Sequence, residues 1–210
     1  MKIKWEEFAK ILECEFIKNS NVVTEDTIRY LFIDGVKLAV DNLQIEKPYT
    51  DFTGLFKSSY PTVKPTKKNP LHLDLYFEEN KTKYFFEFKY DKGSKYTEFA
   101  GSAFNDLNRL STINAGEKYF VYLVDLKLYD YYEHKLNGCF YGKTSKIKFN
   151  IDKTFKFNAK GTFPNNFIKY AFKSFVGNHA DFSSFSYKIE RVVVKEIVKD
   201  NIYFLIYKVS

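Results

Sequence analysis

One short segment, residues 71–90, constrains the fold of this chain more than any other. It contains two runs rich in Leu, Phe and Tyr, residues 71–77 and 83–90, with the polar residues 78–82 between them. Two such runs joined by a short polar turn predict a β-hairpin. Charged side chains interrupt both runs, and burying a charge without a partner is costly. We therefore expect the hairpin to line a cleft as well as to contribute to a core.

The charges within the predicted hairpin are Asp74 on the first strand and Glu87 and Lys89 on the second. Alternate residues of a strand point to the same face, so Glu87 and Lys89 point together while Phe86 and Phe88 face the core. Two carboxylates and a lysine on rigid strands suit the cleavage of phosphodiester bonds. Mg²⁺ needs only one or two carboxylate ligands, and a neighbouring lysine stabilises developing negative charge.

The acid-x-lysine spacing is by itself a weak motif, because it occurs three more times in the chain. The other pairs are Glu79 and Lys81, Glu133 and Lys135, and Asp125 and Lys127. The first pair lies in the predicted turn, and the second lies in a predicted helix or loop. Asp125 closes the apolar run 118–126, which predicts a buried central strand, and it is the main alternative. A structural salt bridge without catalysis is the third interpretation of Glu87 and Lys89.

A further carboxylate is predicted to lie near this cluster. Residues 3–18 and 24–42 are each expected to form a helix, and Thr24 suits the N-cap of the second one. The stripe that begins at Glu25 continues with Ile28, Phe32, Val36 and Ala39. Because this stripe is apolar, we expect Glu25 at its end, facing the sheet. The alternative is that Glu25 only complements the helix dipole.

The remaining segments complete an α/β pattern in one domain, residues 1–210. Composition and periodicity predict a proline-containing extended connection over 45–70, a helix over 96–113, a short helix near 128–136, and a second hairpin from 187–198 and 202–209. Residues 137–186 carry no firm assignment. The expected fold class is therefore α/β, with a mixed central β-sheet flanked by helices and a basic, β-rich extension over about 137–210.

The order of these features resembles the core of the PD-(D/E)XK nuclease superfamily, the restriction-endonuclease-like proteins. An acid on an early helix is followed by an aspartate, a hairpin, Glu-x-Lys, a helix and a strand, over about residues 20–126. The resemblance implies that Asp74 and Glu87 bind Mg²⁺, for which Mn²⁺ substitutes. It also implies that Glu25 supplements the metal site and that Lys89 helps to activate water.

One departure from the family pattern precedes the aspartate. Leu73 stands where the family has proline, and the nearest proline is Pro70.

In folds of this kind the helix after the lysine strand flanks the active site, so we expect Arg109, within the predicted helix 96–113, to contact phosphate. The alternative is an ion pair between Arg109 and Asp106 on the surface of that helix.

Nucleic acid is the partner that the charge distribution favours. The net charge of the chain is +7, and residues 137–210 contain 13 basic and 5 acidic side chains. The lysines of this part that we expect to bind nucleic acid are Lys143, Lys146, Lys148 and Lys153. Such clustering fits salt-sensitive binding to phosphates. The alternative is a solvated strand surface with lysine outside and phenylalanine inside.

These features together predict a magnesium-dependent endonuclease of the restriction or defence type that cleaves duplex DNA. Two alternatives stay open: an inactive module of the same fold that binds DNA or another partner, and an RNA-directed nuclease. A homodimer is compatible with the pattern.

Cys14 and Cys139 lack the spacing of a metal site or disulfide framework, which fits a reducing cytoplasm. No apolar run approaches the about 20 residues of a membrane span, so no membrane partner is expected.

Overall fold

The computed structural model describes residues 3–19, 22–36, 41–52, 63–64, 70–131, 153–156, 169–176, 186–198 and 201–210. The helices are α1 (Trp5–Asn19), α2 (Glu25–Val36), α3 (Tyr96–Ser111) and α4 (Leu126–Asp130), with a 3₁₀ helix at Tyr49–Phe52. The strands are β1 (Asp41–Pro48), β2 (His72–Glu79), β3 (Thr82–Asp91), β4 (Glu117–Asp125), β5 (Lys153–Lys156), β6 (Ser186–Val198) and β7 (Ile202–Val209).

Within the described residues, the strands form one seven-stranded sheet in the order β1-β2-β3-β4-β7-β6-β5. The pair β3 and β4 is parallel, and each of the other described pairs is antiparallel. Parallel neighbours need a crossover connection, and α3 supplies it. The α/β class with a mixed, helix-flanked sheet is therefore confirmed.

The sheet is covered by helices on both faces. On one face, α1 and α2 contribute Phe8 and Phe32, which pack with Phe86 of β3. On the other face, Leu107 of α3 and Phe85 of β3 belong to a second core that also includes parts of the C-terminal strands. The β3 strand is thus buried between two layers, which fits its nearly continuous apolar sequence.

The start of α2 agrees with the sequence prediction, whereas its end does not. The Thr24 hydroxyl accepts a hydrogen bond from the backbone N–H of Thr27 at 3.2 Å, as an N-cap does. The helix ends at Val36, and residues 41–48 form β1 instead of continuing the helix to residue 42. β1 pairs with β2 at the edge of the sheet, and its mostly polar sequence concealed it. The connection predicted over 45–70 accordingly begins with a strand and a 3₁₀ helix.

The turn of the predicted hairpin is shorter than expected. Glu79 pairs with Thr82, so only Asn80 and Lys81 lie outside the ladder. Their φ angles are 48° and 66°, the combination that a tight two-residue hairpin turn requires. The strands therefore extend into the segment 78–82 that the polar composition assigned to a turn.

The C-terminal hairpin is confirmed as β6 and β7, which pair along most of their length. The short helix predicted near 128–136 begins earlier, at Leu126, because Asp125 caps it. Within the unassigned region 137–186, the structure describes β5 and residues 169–176. No helix in the described part of the chain is long and apolar enough to cross a membrane.

Candidate active site

β2 and β3 separate at the position of the predicted charged residues. The last pair that they form is Leu75 with Phe86; beyond it, β2 pairs only with β1, while β3 continues along β4. In place of a ladder bond, the backbone N–H of Phe88 donates to Oδ2 of Asp74 at 2.6 Å. Asp74 therefore lies in a fork between two strands, beside Glu87.

The alternation predicted for β3 is present. Phe86 and Phe88 pack in the core under α1 and α2, whereas Glu87 and Lys89 form ion pairs with residues of α3 on the opposite face. Asp91 continues the same row of β3 positions, and it accepts a hydrogen bond from the Tyr122 hydroxyl at 2.8 Å. The strand thus presents acid, base and acid toward α3.

Glu87 is 1% exposed and is held at both carboxylate oxygens. The Tyr49 hydroxyl donates to Oε1 at 2.5 Å, and Arg109 Nη2 lies 2.9 Å from Oε2. The Arg109 guanidinium also lies over the Tyr49 ring, 5.5 Å from its centroid. Burial raises the pKa of Glu87, and Asp74 raises it further, whereas Arg109 opposes both. On balance the pKa of Glu87 is raised, and its charged form depends on Arg109 and the Tyr49 hydroxyl, because the carboxylate is almost fully buried.

Asp74 and Glu25 form the outer part of the cluster. Burial raises the pKa of Asp74 to about 6, although the Phe88 N–H and Arg109 favour its charged form. Arg29 of α2 approaches Asp74 Oδ1 at 3.6 Å. Glu25 is exposed at one side, but protein surrounds its carboxyl group closely. That crowding, followed by the charge of Asp74, raises the pKa of Glu25 to about 7.

Glu25 lies close enough to Asp74 for their charges to interact, and its part in a metal site stays a prediction. Ile28 and Phe32 of the apolar stripe of α2 are fully buried. Glu25 also lies in the first turn of α2, where an acid complements the helix dipole. Both interpretations of its position therefore describe the same geometry.

Lys89 is a cation held among acids. Its Nζ lies 3.6 Å from Asp106 Oδ2 on α3. Burial lowers the pKa of Lys89, but the carboxylates of Asp106, Asp91 and Glu25 outweigh burial and raise it above its ordinary value. Lys89 is consequently protonated at neutral pH, which suits charge stabilisation and not proton abstraction.

Arg109 points into the cluster. Its Nη2 contacts Asp106 Oδ1 at 2.8 Å as well as Glu87, so Arg109 and Asp106 do pair, but largely buried against the sheet and not on an exposed helix surface. Burial opposes its charge, while Glu87 and Asp106 raise the pKa of Arg109 above its usual range. Contact between Arg109 and phosphate stays a prediction, and in this structure the side chain binds two carboxylates instead.

The competing pair has a structural explanation. Asp125 Oδ1 accepts from the backbone N–H of Leu128 at 2.8 Å and caps α4. Its Oδ2 accepts from the backbone N–H of Gly93 at 2.7 Å. Asp125 therefore joins the start of α4 to the loop that follows β3, and Lys127 is exposed. This pattern favours a capping role for Asp125.

The donor set suits a hard cation in part. In the described ranges, no three Asp, Glu, His or Cys side chains lie together closely enough to hold a metal ion as they stand. Mg²⁺ nevertheless needs only one or two carboxylates, because waters and phosphate oxygens complete its shell. Asp74 and Glu25 carry carboxyl groups whose charges repel one another, which a cation would relieve. Glu87 is the least accessible of the candidate ligands, because Tyr49 and Arg109 bind its carboxylate oxygens.

Three residues of the cluster had escaped the sequence analysis. Asp91 carried a usable signal, since it continues the alternation of Glu87 and Lys89 along one strand. Tyr49 and Arg29 carried none, because their partners within the cluster lie far away in the sequence: Tyr49 and Glu87 are 38 residues apart, and Arg29 approaches Asp74 from another element.

The lysines predicted to bind nucleic acid lie mostly beyond the described residues. Lys143, Lys146 and Lys148 fall outside them. Lys153 begins β5 and pairs with Ile189 of β6. Their role in binding stays a prediction.

Comparison with models of known protein families, with curated proteins and with solved structures finds no match to this chain. The functional assignment of the forked site therefore rests on its geometry and chemistry.

Proposed function

We propose that this protein is a metal-dependent nuclease that hydrolyses phosphodiester bonds in duplex DNA, as a cytoplasmic enzyme of the restriction or defence type. The observation that carries the proposal is the fork between β2 and β3. Asp74 lies there beside Glu87 and within the electrostatic field of Glu25, and Lys89 lies on the same strand face as Glu87. Clusters of acids with raised pKa values beside a buried lysine are typical of catalytic sites.

The residues divide into two roles. Asp74 and Glu25, with Glu87 behind them, would hold the cation. When bound, Mg²⁺ would polarise the phosphate and activate a water molecule. Lys89 is protonated and fixed by Asp106, so it would orient the attacking water and offset the negative charge that develops on phosphate. Asp106 and Asp91 keep Lys89 charged and in place.

The resemblance to the PD-(D/E)XK superfamily supports the same proposal. The acid on α2, the aspartate on β2, the Glu-x-Lys of β3, the crossover helix α3 and the parallel strand β4 occur in the expected order. The basic composition of residues 137–210 supports a polyanionic substrate.

The deciding experiment compares two lysine variants on plasmid DNA. Lys89→Ala should abolish cleavage in magnesium, by more than about 100-fold, because a fixed charge at the reacting phosphate is lost. Lys127→Ala is the matched control from the competing acid-x-lysine pair, and it should cut like the wild type. Chelator should stop cleavage by the wild type and by Lys127→Ala, and added manganese should restore cleavage by both.

A parallel incubation with RNA tests the choice of substrate. Faster cleavage of RNA than of duplex DNA would replace DNA by RNA in the proposal. Equal loss of activity in the Lys89 and Lys127 variants would contradict the assignment of the site.

A second candidate function is an inactive module that keeps the fold and binds DNA or another partner. The contacts of Glu87 favour an inactive module, because Tyr49 and Arg109 already bind both of its carboxylate oxygens. Wild-type protein that binds duplex DNA tightly but cuts neither DNA nor RNA with magnesium or manganese would establish this function instead.

A further inference from the structure

Residues 169–176 are fixed against α3 by buried polar contacts. Asn108 Nδ2 donates to the carbonyl oxygen of Ala171 at 2.7 Å, and Asn105 Oδ1 accepts from the backbone N–H of Ser174 at 3.1 Å. Both asparagines are fully buried, and Phe172 is buried in the adjoining core. Buried side-chain hydrogen bonds of this kind specify one position for the segment, since an unpaired amide there would be costly.

This docking brings Lys173 to the rim of the candidate active site. Its Nζ donates to the Ser102 hydroxyl of α3 at 3.0 Å, across 71 residues of sequence. Burial lowers the pKa of Lys173; Asp106 raises it, and Lys89 and Arg109 lower it. Ser102 lies one helical turn before Asp106, the ion-pair partner of Lys89, so the exposed ammonium group lies near the charges that surround Lys89.

Lys173 differs from the two inner cations in its partner. Lys89 and Arg109 each form ion pairs with carboxylates of the cluster. Among the described residues, the contact of Lys173 is with a neutral hydroxyl, and no ion pair with an acid within 4.0 Å is found. A cation that is held beside a hydroxyl, without a carboxylate to neutralise it, suits the binding of an external anion. Phosphate oxygens accept hydrogen bonds from both kinds of group.

We propose that Lys173 and Ser102 form a phosphate-binding subsite. It binds a phosphodiester on the strand that is cleaved, next to the phosphodiester that is hydrolysed. This inference rests on the proposed nuclease function and adds a fixed contact for the substrate strand. The subsite lies on the α3 side of Lys89, so it would set the direction in which the strand leaves the fork. It also gives residues 169–176 a function: they place one lysine of the basic C-terminal part next to the site.

The test measures binding without cleavage, by fluorescence anisotropy of a short labelled DNA duplex in calcium over a range of salt concentrations. Loss of one phosphate contact should make the slope of log K against log salt shallower by about 0.9. Lys173→Gln should show this change, and Lys173→Arg should restore the wild-type slope because it keeps the charge. Ser102→Ala should weaken binding about 2- to 10-fold without changing the slope, since a neutral hydrogen bond is lost.

Lys169→Gln is the matched control. Lys169 is exposed in the same segment, and the substitution removes the same charge. It should leave the slope at the wild-type value. Equal effects of the Lys169 and Lys173 variants would overturn the subsite and leave the proposed function standing, provided that the wild type still cuts DNA. A wild type that neither binds nor cuts nucleic acid would overturn both.

Competition distinguishes a strand phosphate from a free one. Inorganic phosphate and a mononucleotide should each displace the duplex only at far higher concentrations than an unlabelled duplex does. If inorganic phosphate alone binds Lys173 as tightly as the duplex does, the subsite serves a free anion and the inference about the substrate strand is wrong.

Discussion

At the scale of single residues, ionisation of the carboxyl groups at the fork between β2 and β3 lowers the stability of the folded protein. The pKa of Asp74 is raised to about 6 and that of Glu25 to about 7, chiefly by burial. The folded protein therefore keeps protons on these groups that an unfolded chain releases near pH 4. Because the folded state binds more protons between about pH 4 and pH 7, its stability falls as the pH rises through this window.

Asp74→Asn should consequently stabilise the metal-free protein at about pH 8, by about 1–3 kcal/mol, while removing activity. Its carbonyl oxygen can still accept the hydrogen bond from the Phe88 N–H. The gain should shrink as the pH falls from about 6 and should vanish below about pH 4, where the wild-type carboxyl is protonated in both states. Urea unfolding in chelator at several pH values measures it.

Asp125→Asn serves as the comparison at the same conditions. Asp125 accepts from two backbone N–H groups, so its replacement should leave stability unchanged or lower it by about 1 kcal/mol. An Asp74→Asn protein that is less stable than the wild type at pH 8 would show that Asp74 is a structural anion and not a strained site residue.

At the scale of elements, two helices hold Glu87 from different directions. The 3₁₀ helix Tyr49–Phe52 brings the Tyr49 hydroxyl to one carboxylate oxygen, and α3 brings Arg109 to the other. Tyr49 contributes a donor and its aromatic ring, which lies against the Arg109 guanidinium. In the proposed mechanism it is a positioning residue, because it would act on the bound cation through Glu87.

Tyr49→Phe should therefore lower cleavage by about 10-fold and raise the magnesium concentration needed for half-maximal activity. The ring and its packing are kept, so the fold should be preserved. Tyr76→Phe is the matched control, since the Tyr76 hydroxyl bonds to Glu78, outside the site. Metal titrations of both variants measure the effect, and identical titrations for Tyr49→Phe and wild type would remove Tyr49 from the proposed machinery.

At the scale of the whole molecule, the charge distribution divides the chain. Residues 137–210 carry eight more basic than acidic side chains, 13 against 5, whereas the molecule as a whole carries +7. The candidate acids therefore belong to a part of the sequence that is nearly neutral, and the excess positive charge follows it. Such a division suits an enzyme that attracts a polyanion with one part and cleaves it with another.

Replacing Lys143, Lys146, Lys148 and Lys153 together with Gln should weaken binding to duplex DNA and make the slope of log K against log salt shallower by up to about 3.6. The matched control replaces four exposed lysines of the N-terminal part, namely Lys4, Lys10, Lys18 and Lys81. Both variants lose the same charge, so a similar fall in affinity would mean that net charge alone drives binding. Circular dichroism confirms that each variant is folded.

Local pattern was enough to predict much of the architecture. Local pattern predicted the hairpin of β2 and β3, the helices α1 and α3, the central strand β4 and the C-terminal hairpin. The predicted ends of these elements differ from the observed ends by a few residues at most. Each depends on the spacing of apolar residues over less than about 20 positions, where periodicity reflects burial directly. The shared face of Glu87 and Lys89 follows from the same rule, because a strand has a period of two.

Tertiary structure decided how the charges meet. β1 is polar, and only its pairing with β2 makes it a strand. The fork arises because β2 stays with β1 while β3 stays with β4, and this choice opens the place that Asp74 fills. The partners of Glu87, Lys89 and Lys173 come from the 3₁₀ helix and α3. A single sequence carries no periodic signal for contacts between distant segments, since they depend on the order in which whole strands and helices pack.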